Sequence, residues 1–284
     1  MTLNSPREMI KMPSTHTEPQ NTRRYVVIGK ELREQLVNNI YEIGDRLPTE
    51  REIAESYGVS RTVIREAIIM LEIEGLVEVR KGSGVYVTGI PSSTSSPFHN
   101  TANHQDTTDM ISAFSGLTGT DIGPFELLQA RQLIESNIAE FAALQITKAE
   151  IDAIKKVLQK EKRSLEIGDS NEDYDRQFHI LVAEATKNTF FADVVKLMWR
   201  MRLESKMWAQ LHTHIDTIDY RKTWLNEHAL ILSALQKKDA AAAKKAMWQH
   251  FESIKSTLLA LSDVDDENFD GYLFDSYPLI RISK

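Results

Sequence analysis

One stretch of forty residues constrains this chain more than any other: PTEREIAESYGVSRTVIREAIIMLEIEGLVEVRKGSGVYV, residues 48–87. Thr49 and Glu52 read as a capping box, which satisfies orphan amides of a first helical turn. The helix it opens carries Ile53, Ala54 and Tyr57 on its apolar side. Gly58 permits a tight turn, and Ser60 suits the N-cap of a further helix whose buried face is Val63, Ile64, Ala67, Ile68 and Leu71. Gly75 ends that helix. Val77 and Val79, the Lys81-Gly82-Ser83-Gly84 turn, and Val85 and Val87 then alternate as a short β-hairpin. Upstream, Ile28, Leu32, Leu36 and Ile40 recur every four residues, so another helix starts near Tyr25. Helix, helix, turn, helix, hairpin is the order of a winged helix-turn-helix, here over residues 23–89.

The second helix of such a module enters the major groove and reads bases with its first turns. Those turns offer Ser60, Arg61, Thr62 and Arg65, with both arginines on one helix face. Arginine can pair bidentately with guanine, worth roughly 1–3 kcal/mol of discrimination per contact. Arg51 suits a phosphate or a base, and Arg80 and Lys81 sit at the wing tip, where Gly82 lets backbone approach DNA closely. Bulk charge gives no support: the chain carries a net −7, and residues 23–89 hold ten Lys and Arg against eleven Asp and Glu. DNA binding therefore rests on where the cations stand.

The remainder divides by composition. Residues 1–22 are polar and aperiodic, a disordered tail. Residues 90–123 are rich in Ser, Thr, Asn and Gly, a flexible linker. Residues 124–262 are helical in period throughout, with boundaries at Thr147/Glu150, Ser170, Asn188 and Asp239. Six or seven helices and no strand are expected there, so the fold class is mainly α: a winged helix joined to an all-α bundle. Residues 263–284 form a tail, acidic and then aromatic. Cysteine is absent, which excludes disulfides and thiolate metal sites. With neither a long apolar run nor an apolar leader, a cytoplasmic protein without membrane contact is expected.

The helical domain holds His179, His212, His214, His228 and His250; His16, His99 and His104 fall in the tail and linker. Asp175 and His179 are four apart and share a helix face. His228 and His250 stand amid apolar residues on two later helices, whereas His212 and His214, two apart, cannot share a face. A single histidine in such a setting reads as a hydrogen-bonded core residue. Together, Asp175, His179, His228 and His250 suit a divalent transition metal, with Zn, Ni and Mn all open.

The forty-residue stretch resembles the DNA-binding domain of GntR-family regulators. In the FadR branch, the positions matching Arg51, Ser60, Arg61, Thr62, Arg65, Lys81 and Gly82 contact DNA. The helical domain is similar to the FCD domains of that branch, whose metal-binding members carry an Asp-x-x-x-His pair and two later histidines. The resemblance thus implies a metal at Asp175, His179, His228 and His250, and disfavours a fatty-acyl effector. An effector carboxylate would bind the metal, and a cation would complete its site: Arg131 first, Arg202 second. The alternative for Arg131 is a structural ion pair with Glu135. GPFELLQARQLIESNIAEFAALQ, AMWQHFE and FDGYLFDSYPL resemble the hexuronate-utilisation repressors of the ExuR/UxuR type. That likeness implies a homodimer on palindromic operator DNA, released by a sugar acid such as glucuronate or galacturonate. The competing class is a metal-dependent enzyme acting on a sugar acid and fused to a DNA module, since Asp plus three His could activate water.

Overall fold

The computed structural model describes residues 23–80, 82–90, 122–168, 173–213 and 217–260. The tail 1–22, Lys81, most of the linker, Ser170, His16, His99, His104, His214 and the tail from 261 onward lie outside the described residues.

Three helices and a hairpin build the N-terminal unit: α1 (Arg24–Val37), α2 (Glu50–Tyr57), α3 (Arg61–Ile73), β1 (Val77–Arg80) and β2 (Gly84–Val87). The capping box opens α2: Thr49 Oγ1 accepts from Glu52 N, and Glu52 accepts from Thr49 N. Gly58 caps α2 at φ 62, a left-handed conformation that costs glycine least. The strands are antiparallel, with Val77 opposite Val87 and Val79 opposite Val85. Ile28, Leu32, Leu36, Ile53, Ile64, Ile68 and Leu71 are buried together. Two local readings change. Ile40 is exposed because α1 stops at Val37 and Asn39 turns left-handed. Ser60 occupies the N-cap of α3 without capping it; its hydroxyl pairs with Thr62 Oγ1 at 2.8 Å.

Seven helices follow among the described residues: α4 (Pro124–Gln145), α5 (Lys148–Glu166), α6 (Asp173–Glu184), α7 (Thr189–Glu204), α8 (Lys206–His212), α9 (Thr217–Gln236) and α10 (Ala240–Ala260). Pro124 at the first position of α4 loses no needed N–H. Thr147 and Glu150 box α5, Asn188 caps α7, Ser205 caps α8, and Asp239 accepts from Ala242 N ahead of α10. Helix α4 runs against α10 and also touches α6, α7 and α9, so it is the axis of the bundle. Both units share one apolar cluster, from Ile64 and Ile68 through Phe125 and Leu128 to Met207 and Trp208.

Ile64 is fully buried at the centre of the smaller unit. Ile64→Ala should cost about 2–5 kcal/mol, read as a lower urea midpoint for the winged unit.

Candidate functional site

Four side chains from α6, α9 and α10 converge inside the bundle. The spacing of four brings Asp175 and His179 to one face of α6, and His228 and His250 arrive from α9 and α10. One ligand atom from each lies within 4.8 Å of the other three, and all four residues are buried. His179 Nε2 stands 3.3 Å from Asp175 Oδ1, His228 Nε2 stands 3.5 Å from it, and the Nε2 atoms of His228 and His250 are 3.3 Å apart. A metal with bonds of about 2.0–2.1 Å holds its ligands roughly 3–4 Å apart. The donors therefore need little movement to bind one.

The far side of each imidazole supports this. His179 Nδ1 meets Glu135 Oε2 at 2.5 Å, and His250 Nδ1 meets Glu227 Oε2 at 2.8 Å. His228 Nδ1 is 3.5 Å from Glu161 Oε2, an ion-pair contact longer than a hydrogen bond. A carboxylate at Nδ1 holds the proton there and leaves the Nε2 lone pair for a metal. Asp175 Oδ1 is buried and has no hydrogen-bond partner among the described residues. An orphaned carboxylate oxygen facing three Nε2 atoms fits a divalent cation.

The buried groups of the cluster titrate in opposite directions. Burial pushes the Asp175 carboxyl up, but His179, His228 and Arg202 outweigh it and hold the group well below the carboxylate range. Burial pulls His179 down, and Glu135 with Asp175 more than reverses that. His250 stays well below its ordinary value through burial and repulsion from His228 and His179.

Beside the cluster lies a small cavity with room for about one water, lined by Arg131, Arg202, Asp175, His179, Trp208 and Trp224 among others. Arg131 Nε donates to Glu135 Oε1 at 2.7 Å, so the structural ion pair is present, yet Nη2 has no partner among the described residues. Its guanidinium lies 4.3 Å from the Trp199 ring centre, and that of Arg202 lies 4.6 Å from it. Cation–π contact keeps both cations in an otherwise apolar wall. Glu135, Glu161 and Glu227 were not legible from spacing: each meets its histidine from another helix or across a turn contact that only packing defines.

The DNA-reading residues are arranged differently from the sequence expectation. Arg51 and Gly82 are exposed, and Ser60 is half-buried. Arg61, Thr62 and Arg65 are buried, at 5%, 1% and 3% exposure. Arg65 donates through Nε and Nη2 to Glu50 at 2.5 and 3.1 Å, an ion pair between α2 and α3. Helix α3 also packs against α4 and α8 of the bundle. On the wing, Arg80 is exposed and pairs with Glu78, with its guanidinium 4.5 Å from the Tyr86 ring centre.

Comparison with known proteins decides the family. The model of "Bacterial regulatory proteins, gntR family" matches residues 24–87, and that of the "FCD domain" matches residues 126–253. The chain is 50% identical to the "Uxu operon transcriptional regulator" of Escherichia coli K12, over 92% of this chain and 96% of that one. It is 49% identical to the "Uxu operon regulator" of Haemophilus influenzae, over 91% and 90%. With the "Exu regulon transcriptional regulator" of E. coli K12 it shares 45%, over 94% and 96%. The chain belongs to the GntR family of bacterial regulators. Regulators of this family bind operator DNA, and FCD domains are known for a metal site. No helix among the described residues is long and apolar enough to cross a membrane.

In this regulator α3 is tied to the helical bundle. Glu66 of α3 accepts from Phe125 N at 2.9 Å and Glu126 N at 3.0 Å, at the positive end of α4. A Cβ on Gly123 would strike the Glu66 carboxylate, so the close approach requires glycine there. Arg23 adds an ion pair to Glu126 at 2.9 Å.

Two outcomes follow from these contacts. Glu50→Ala leaves Arg65 a buried charge without its carboxylate, so stability should fall by about 3–5 kcal/mol in urea unfolding, with part recovered in Glu50→Ala/Arg65→Ala. Burial raises Glu66 to about 8, only partly offset by the two backbone N–H groups and Arg23, against an ordinary value of 4.5. The folded state then binds the extra proton between these two values, so stability falls as pH rises across that window and levels off above it. Wild type should lose melting temperature from pH ~5 to ~8 more steeply than Glu66→Gln; equal slopes would exclude this titration.

Proposed function

We propose that this regulator is a repressor of hexuronate-utilisation genes, working as a homodimer on palindromic operator DNA in the cytoplasm and released by a sugar-acid effector. The observation that carries the reading is a cavity in which a four-residue metal cluster stands beside two guanidinium groups. Asp175, His179, His228 and His250 would hold the metal, with Zn, Ni or Mn all compatible with such a donor set. When bound, the metal supplies a Lewis-acidic position for a carboxylate and an adjacent hydroxyl or carbonyl oxygen. Arg131 lines the same space and its Nη2 has no partner among the described residues, while Arg202 lies against Trp199 and Trp208. The names of the Uxu and Exu regulators, shared at 45–50% identity, support the sugar-acid class.

Arg51, Ser60, Arg61, Thr62, Arg65, Lys81 and Gly82 are the proposed DNA contacts. Burial of Arg61, Thr62 and Arg65, with α3 docked on α4 and α8, supports reading this arrangement as the regulator off its operator. Operator binding needs α3 freed from the bundle. Trp208 of α8 lines the cavity while α8 packs on α3, so effector and recognition helix act on one element. An effector that binds the docked state better shifts the population away from DNA.

The enzyme reading is disfavoured by the relatives, which are named as transcriptional regulators. Gel shifts on a footprinted operator, with D-glucuronate and D-galacturonate and with or without chelator, test the proposal. Operator affinity should fall tenfold or more, about 1.4 kcal/mol of coupling, and chelation should abolish the effect. No response to either sugar acid under any metal condition would remove the sensor reading, and turnover of the acid would replace it with an enzyme.

A further inference from the structure

One residue that lines the cavity beside the metal cluster carries a hydrogen-bond donor with no role in the proposed function. Trp224 lines it and is only 4% exposed. Its indole Nε1 is fully buried and has no hydrogen-bond partner among the described residues. Buried indole N–H groups normally find an acceptor, since leaving one without costs the desolvation of a polar group. The ring is well held: it packs on Tyr220 at a centroid distance of 4.3 Å and meets His250 edge-on at 6.2 Å. Trp224 also stands four residues before His228 on α9, so it rises from the same helix face one turn from the metal ligand.

Arg131, which lines the same cavity, carries a second donor without a partner among the described residues, Nη2. The two differ in chemistry. A guanidinium is a charged donor suited to a carboxylate, whereas an indole N–H is a neutral donor suited to a hydroxyl or carbonyl oxygen. Leu128 and Ile254 supply apolar wall between them.

We propose that Trp224 is an effector-binding residue whose Nε1–H donates to an oxygen beyond the carboxylate, so that the pocket selects hydroxy- or oxo-carboxylates over simple acids. The assignment rests on the sensor reading of this cavity and deepens it by naming what distinguishes the ligand. A simple acid leaves the indole N–H buried and unpaired. A hydroxy acid satisfies it, and discrimination built on a buried polar group is steep.

Trp224→Phe in the full-length, zinc-loaded protein keeps an aromatic ring in place and removes the donor. Calorimetric titration with D-glucuronate, D-galacturonate and millimolar acetate gives the readout, with metal content and melting temperature measured on the same samples. Sugar-acid affinity should fall roughly five- to thirty-fold, while acetate binding, zinc content and melting temperature stay at wild-type levels. Wild-type sugar-acid affinity in Trp224→Phe overturns the assignment and leaves sugar-acid sensing intact. Parallel loss of acetate binding and zinc makes Trp224 a packing residue and also overturns it. A wild-type protein that binds neither sugar acid removes the sensor reading itself, and this assignment with it.

Discussion

The polar centre of the helical bundle is organised around a buried carboxylate. Asp175 sits inside an apolar bundle, where an isolated ionised group would be expensive. The helices answer with imidazoles from α6, α9 and α10 around one oxygen, each backed by a further carboxylate. The result alternates in sign outward from its centre, and that centre calls for positive charge. Arg131 and Arg202 share this electrostatic frame, held by Glu135 and by the faces of Trp199 and Trp208.

The second constraint is that the two units do not have separate interiors. A continuous apolar cluster passes from the winged unit through Phe125 to Trp208, and Glu66 fastens α3 to the start of α4. Helix α3 cannot leave the bundle without giving up those contacts. The contacts mix apolar packing with one buried carboxyl, so their strength depends on the arrangement of α4 and α8. Both of those helices also contribute residues to the cavity, which couples the pocket to α3 through two short physical links.

Much of this was legible in the amino-acid order. The winged unit rests on local rules: a capping box, a left-handed glycine, and strand alternation around a glycine-rich turn. The i,i+4 rule likewise placed Asp175 with His179. Local rules failed where partners come from elsewhere. Spacing put Arg61 and Arg65 on one face of α3, but the bundle and Glu50 decide whether that face meets solvent. The periodicity of α1 appeared to run to Ile40, yet the backbone turns left-handed at Asn39.

The sequence by itself determined the elements, the family likeness and the residue types able to hold a metal, since these depend on neighbours within one or two turns. The tertiary structure alone decided that four ligands from three helices face one point, and that Glu135, Glu161 and Glu227 stand behind the imidazoles. It alone left the Trp224 N–H without a partner among the described residues. The physical reason is range: capping and periodicity act along the chain, whereas burial and hydrogen-bond satisfaction depend on residues up to a hundred positions away that only packing brings together.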